Sequence, residues 1–294
     1  MSKEEKKGMI LALLGATGWG VSGTCGQFLF SYSDVEPLTV TIYRLIFSGL
    51  LLIIINAFEH PQGMSGVFKD WKTAVHLVIY AIFGVGLCQV SYLSAIKYSN
   101  SGTATVLQSS GIIIVFIVTA IMQEKAPKIA EYGCLAVIMV GVFLLATHGD
   151  IHHLQLSNKG LFWGGLAALA VALYTLLQGN LMIKYGTSLI LGYAMLIGGV
   201  LLFIFSADAR ILTDTRPITI LAIAFIVIVG TAFGFTFYLS GVALCGAKKA
   251  SMLSSIEPVA ATLSSALFLG TIFSGMDILG FASVILGCTL LTVL

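Results

Sequence analysis

Ten separate runs of mostly apolar residues, each about 18 to 23 long and divided by short polar breaks, occupy the sequence from Gly8 to Leu294. An α-helix rises about 1.5 Å per residue and the hydrocarbon core of a bilayer is about 30 Å thick, so one crossing takes about 20 apolar residues. Every run meets that length. The pattern predicts membrane-spanning helices over residues 8–30, 37–57, 74–95, 101–122, 129–147, 160–183, 189–206, 219–241, 249–270 and 277–294, numbered here as spans 1 to 10.

Lipid restricts the alternatives. Backbone amides there must pair within their own segment or around a closed barrel. Barrel strands alternate in polarity over about 9 to 11 residues, and stretches such as Ile112 to Ile121 do not alternate. The chain is 58% hydrophobic and 10% charged, whereas about 25% charge is usual in soluble domains. Span 1 follows Lys3, Lys6 and Lys7 and so imitates a secretory leader. It is longer than a leader's apolar region and has no convincing small-x-small cleavage site before span 2, so it is read as a helix.

Basic residues set the orientation, because Lys and Arg stay on the cytoplasmic side of short loops. With the N-terminus inside, the cytoplasmic segments hold ten: Lys3, Lys6, Lys7, Lys69, Lys72, Lys125, Lys128, Lys184, Lys248 and Lys249. The other side holds four: Lys97, Lys159, Arg210 and Arg216, with Arg44 inside a span. Both termini are expected in the cytoplasm, and the chain in the cytoplasmic membrane.

The sequence also repeats itself. Tyr92-Leu93-Ser94 matches Tyr238-Leu239-Ser240, and the same offset of 146 residues aligns Ala104 with Ala250, Leu107 with Leu253, Ser109 with Ser255 and Gly141 with Gly287. Gly8 pairs with Gly160 at an offset of 152. Five spans in each copy, an odd number, turn the second copy upside down relative to the first, the arrangement that alternating access uses around a site near the midplane. The expected fold is an all-α integral membrane protein: ten transmembrane helices as two inverted five-helix repeats, 1–148 and 149–294, around a central cavity and forming one transport domain.

Particular residues sharpen this. The second half carries Ala172-Leu173-Tyr174 in span 6, Tyr238 to Leu244 leading into Ala250-Ser251-Met252-Leu253-Ser254-Ser255-Ile256-Glu257-Pro258-Val259, and Leu279-Gly280 with Gly287 in span 10. The first half carries Trp19-Gly20, Arg44 and Glu124-Lys125. With these residues the chain resembles the drug/metabolite transporter superfamily, EamA type, over nearly its whole length. The resemblance implies two inverted bundles with a cavity lined mainly by spans 1, 3, 4, 6, 8 and 9, spans 5 and 10 peripheral, and secondary transport of small metabolites, amino acids being a common class for exporters of this type. One departure is Gly270-Thr271, where the family often has Gly-Glu. The acid stands only in the first copy, as Glu124, so symmetric gate chemistry at the ends of spans 4 and 9 is not expected.

Glu257 is the one acid deep inside a span, and an ionisable group at that depth is costly unless paired or facing water. It reads either as a protonatable or amine-binding carboxylate, or as a structural carboxyl held by donors that Pro258 frees from the helix ladder. Ser251, Ser254, Ser255, Pro258, Thr262 and Ser265 form a weakly polar stripe along span 9, and Thr105, Gln108, Ser109 and Ser110 form one along span 4. Such stripes serve close helix packing or a solute. Gln89, Gln178, Tyr174 and Thr236 are further candidate ligands, offering donors and acceptors without fixed charge. Tyr92 and Tyr238 fall near span ends and read as interfacial belt residues, as do Trp71 and Trp163. Trp19, mid-span among Gly15, Gly18, Gly20 and Gly23, reads as a cavity wall. Arg44 lies close enough to the outer end of span 2 to snorkel and is read as structural, holding backbone carbonyls.

Other signals carry little. Gly241-x4-Gly246-Ala247-Lys248 departs from a phosphate-binding loop at the Lys position and follows no strand. His148, Asp150, His152 and His153 read as a solvated loop, not a metal site, and Cys25, Cys88, Cys134, Cys245 and Cys288 as packing residues. A membrane enzyme needs an assembled nucleophile, base and orienting group, and a channel needs a ring of like groups; neither set is present in the spans. The expected function is secondary transport of a small polar metabolite, an amino acid or related compound, by export. The alternative is proton-coupled multidrug or cation efflux through Glu257. No catalytic residue, cofactor or metal is expected. The partners are the lipid bilayer and a small-molecule substrate, with no nucleic acid, and a monomer is compatible with the sequence.

Overall fold

The computed structural model describes residues 2–33, 35–59, 66–122, 128–147, 156–178, 181–206 and 211–293. Glu124, Lys125, Arg210 and the His148 to His153 cluster lie outside the described residues, as does the side chain of Ser251. Among the described residues the regular elements are all helical: α1 (Lys3–Tyr32), α2 (Pro37–Glu59), α3 (Trp71–Ile79), α4 (Leu87–Tyr98), α5 (Ser101–Ser109), α6 (Ile112–Met122), α7 (Ile129–Thr147), α8 (Asn158–Leu177), α9 (Leu181–Tyr185), α10 (Thr187–Phe205), α11 (Pro217–Val227), α12 (Gly234–Cys245), α13 (Ala247–Ser254), α14 (Ile256–Leu269) and α15 (Gly275–Val293). Eight stretches are long and apolar enough to cross a membrane, and two further apolar helices, Ile256–Leu269 and Gly275–Leu290, are shorter.

Polar residues at the breaks start the helices by accepting bonds from amides that have no partner inside the helix. Ser2 and Glu5 form a reciprocal capping box at α1, Asp70 accepts from the Lys72 and Thr73 amides at α3, and Asn100 accepts from Thr103 N at 2.8 Å at α5. Pro217 opens α11, where its missing N–H costs nothing.

Several expected helices are not continuous. Span 4 breaks at Ser110–Gly111, where the Ser110 hydroxyl turns back to Leu107 O at 2.6 Å. Span 9 breaks at Ser255, three residues before Pro258, so the proline sits in the first turn of α14 and its ring needs no intact ladder behind it. Span 6 is helical over α8 to Leu177 and over short α9, with residues 179–180 between them outside the described residues. Spans 3 and 8 are single long helices with wide π-helical turns at Tyr80–Gly86 and Ile228–Phe233. The two π stretches begin 148 residues apart, and the breaks at Ser110 and Ser255 lie 145 residues apart.

Helix α1 is the centre of the bundle, packed against α12 and α14, while α2 pairs with α10, α4 with α8, and α7 with α15. Close approach depends on missing side chains: a Cβ on Gly15 would lie 2.6 Å from Gly234 O, and one on Gly20 would lie 2.5 Å from Glu257 O. The outward faces of α7 and α15 expose Met139, Val140, Leu279 and Leu286, as lipid contact requires.

Candidate functional site

A cavity of about 780 Å³ lies inside the bundle, within the range of small-molecule sites. Its wall carries Trp19 of α1, Arg44 of α2, Cys88, Gln89 and Tyr92 of α4, Gln108 and Ser109 of α5, Tyr174 and Thr175 of α8 with Gln178 after it, Leu191 and Met195 of α10, Phe235, Tyr238 and Leu239 of α12, Ser254 of α13 and Glu257 of α14. It also reaches Ile183, which is 86% exposed, so it meets the protein surface at the α9 end.

Eight of the expected ligands thus face one space: Trp19, Gln89, Gln108, Ser109, Tyr174, Gln178, Ser254 and Glu257. Thr236 does not. The face of α12 that points inward carries Phe235, Tyr238 and Leu239, and at about 3.6 residues per turn position 236 is rotated away. Ser255 is turned toward α15, its hydroxyl 3.0 Å from Thr289 Oγ1. With Pro258 it borders a second cavity of about 170 Å³, next to Ser109, Ser254 and Glu257.

Three expectations change. Tyr92 and Tyr238 are cavity residues, not belt residues, because their helices run on to Tyr98 and Cys245 and leave both rings well inside. Tyr92 is 6% exposed and its hydroxyl pairs with Thr105 Oγ1 at 2.9 Å. Trp163 packs on the core around Leu29, Leu93 and Ile226, whereas Trp71 is 73% exposed. Arg44 does bind a backbone carbonyl, Gly230 O at 3.4 Å, and Thr231 Oγ1 at 3.0 Å, both in the second π stretch. It stands on the cavity wall as well. Spans 2 and 7 therefore contribute lining that the resemblance assigned mainly to six other spans.

Wall residues outside the expected set include Thr175, Phe235, Leu191 and Met195, together with Cys88, read above as a packing residue. One signal for Thr175 was present: Thr175-x-x-Gln178 repeats Thr24-x-x-Gln27 at an offset of 151. The apolar ones have no sequence signature that separates a cavity wall from a packed core.

Aromatic rings form one side. Trp19 lies 5.0 Å from Phe235 and 4.9 Å from Tyr238 between ring centroids, and its Nε1 is buried without a partner among the described residues, as is Gln89 Oε1. Among the described residues, Gln108 Nε2 reaches only the Cys88 thiol, at 3.4 Å. The Glu257 carboxylate and the Arg44 guanidinium stand on the same cavity wall without a direct ion pair among the described residues.

Farther along α1, beyond Trp19, the bundle is closed by interlocked polar groups. Thr24 Oγ1 lies 2.6 Å from Ser264 Oγ and 3.1 Å from Ser101 Oγ. Gln27 donates to Thr271 Oγ1 at 2.9 Å and accepts from Ser101 N at 2.8 Å and Ser265 Oγ at 3.1 Å. Thr271, at the position of the family's usual acid, is therefore a member of this seal.

Comparisons with known proteins agree with the architecture. The model of the EamA-like transporter family matches residues 6–147 and again 158–293. The chain is 36% identical over 275 residues to YicL of Salmonella typhimurium, described as an uncharacterized inner membrane transporter, covering 94% of this chain and 91% of that one. It is 24% identical over 284 residues to an uncharacterized transporter of Archaeoglobus fulgidus, covering 96% and 97%. A solved crystal structure superposes over 98% of both chains with a TM-score of 0.67 at 15% identity, a likeness of fold. A multi-pass helical protein matched twice along its length by one family model, and at 36% identity by an inner membrane transporter, is a membrane transporter, and the chain belongs to the EamA-like transporter family.

Proposed function

We propose that this transporter exports a small polar metabolite, an amino acid or related compound, by alternating access around the cavity that holds Arg44 and Glu257. The observation that carries the reading is the asymmetry of that cavity: it meets the surface near Ile183, while its other end is closed by the Thr24–Gln27 seal. The counterpart pair, Thr175 and Gln178, lines the open side.

Ten transmembrane helices in two inverted copies, 1–148 and 149–294, give this asymmetry its meaning. The double family match and the paired π stretches and helix breaks support that architecture. In an inverted pair, the contacts that close one end in one state are remade at the other end by the partner copy. The bias of basic residues puts both termini, and the open end next to Lys184, in the cytoplasm. On this reading the open end is the side from which the substrate loads.

A second reading, cation efflux, draws on the Trp19 and Tyr238 rings beside Glu257, since aromatic faces attract cations. Arg44 on the same wall opposes a lone cation. The test is flux in proteoliposomes: neutral amino acids move through wild type, and Glu257→Gln slows them at least about tenfold, the effect of losing one charged contact. Amino-acid flux unchanged in Glu257→Gln would remove the carboxylate from the site. Uptake of fluorescent cations alone would establish the second reading instead.

A further inference from the structure

The cavity holds two ionisable groups of opposite sign, Arg44 and Glu257, that do not pair with each other among the described residues. Arg44 is 5% exposed, and of its five N–H donors it engages Nε with Thr231 Oγ1 and one on Nη2 with Gly230 O. Thr231 can accept because its own proton goes to Ile226 O at 3.1 Å. The guanidinium is thus fixed in place by the second π stretch. Its Nη1 group has no partner among the described residues.

Glu257 lies in the first turn of α14, next to the break at Ser255, and its carboxylate has no hydrogen-bond or ion-pair partner among the described residues. Its main chain is held firmly, since its carbonyl lies against Gly20 of α1. An ionised group without a partner inside a bundle is expensive. Each of the two lowers that cost by taking an opposite charge from a ligand, and a guanidinium edge with free Nη donors matches a carboxylate through two parallel bonds.

We propose, resting on the transporter reading above, that Arg44 and Glu257 are opposed ligands that read the charge balance of the solute: Arg44 takes a carboxylate and Glu257, beside Trp19 and Tyr238, takes an ammonium. A dipolar, net-neutral solute satisfies both. A solute with one charge satisfies one group and leaves the other unpaired and desolvated, so the site refuses it. The rest of the wall, including Val85, Ile112, Val171, Leu191 and Met195, is apolar and receives an uncharged side chain. Arg44 on this reading both braces the π stretch and selects the cargo.

The test uses full-length protein in proteoliposomes, with leucine, phenylalanine and threonine each supplied as the free amino acid, as its amide carrying only the ammonium, and as its N-acetyl derivative carrying only the carboxylate. Wild type is expected to move at least one free amino acid about tenfold faster than either derivative, a ratio of about 1.4 kcal/mol. Glu257→Gln should reverse the preference toward the N-acetyl compound, and Arg44→Gln toward the amide. Arg44→Lys, which keeps the charge and loses the two-pronged geometry, should keep the order of preference at a lower rate, and serves if Arg44→Gln does not fold. Equal rates for the three forms in wild type, or variants that slow all three alike, would overturn the proposal while leaving a working transporter. A wild type that moves other solutes but none of these overturns it too. A protein that moves nothing from a broad panel of solutes defeats the transport reading itself.

Discussion

A methyl group added at Gly20 tests how tightly the Glu257 segment is held. The new carbon would lie 2.5 Å from Glu257 O and 2.8 Å from Ala261 N, backbone atoms that cannot rotate aside as a side chain tip can. Gly20→Ala should push α1 from α14 and cost about 1–3 kcal/mol, read as a lower melting temperature of detergent-purified protein. It should also shift Glu257 and so depress flux more than stability alone explains. Gly165→Ala, where a Cβ meets nothing within 4 Å, is the control and should melt like wild type. An unchanged melting point in Gly20→Ala would show that the two helices are not in close contact there.

Helix ends and helix junctions carry the polar ties between elements. Gln27 joins α1 to α5 and α14 through three bonds, so Gln27→Leu leaves the Ser101 amide and the Ser265 and Thr271 hydroxyls short of a partner. We expect the sealed end to open more often, with a cysteine placed at Thr24 reacting several-fold faster with an aqueous maleimide; no change would mean that the seal is held by packing alone. A different junction, between α1 and α11, depends on pH. Asp214 binds Arg216 Nη2 at 2.7 Å and Thr219 Oγ1 at 2.6 Å, and Arg216 reaches Tyr32 O at 3.3 Å. The Arg216 guanidinium, followed by the Thr219 hydroxyl, holds the Asp214 carboxyl well below the usual carboxylate range. A depressed folded value means that this contribution is fully present above about pH 4, the ordinary range of an aspartate, and is lost as pH falls through the depressed value. Thermal stability should therefore decline more steeply below pH 4 in wild type than in Asp214→Asn, and identical acid profiles would exclude Asp214 as a source of the slope.

At the scale of the whole molecule, the proposed inverted architecture makes a prediction about sides. Single cysteines at Ser157 and at Lys184, in cells permeable only at the outer face, should label oppositely: the first from outside, the second only after the inner face is exposed. Labelling of both from one side would break the ten-span topology. The sequence by itself determined the helical membrane fold and most of the cavity's polar residues, because the cost of burying peptide groups and charges in lipid acts on each span independently and leaves its mark in composition. Glu257, Gln108 and Trp19 were legible for that reason: each is too polar, or too deep, for a lipid-facing position. Only tertiary structure decided that Tyr92 and Tyr238 face the cavity, that Thr236 and Ser255 turn away, and that Arg44 shares a wall with Glu257. Those outcomes depend on the rotation and overrun of helices packed against one another, and on breaks and π turns that shift the register of a face. Hydropathy is nearly constant around such helices, so it records depth in the bilayer and not the direction in which a side chain points.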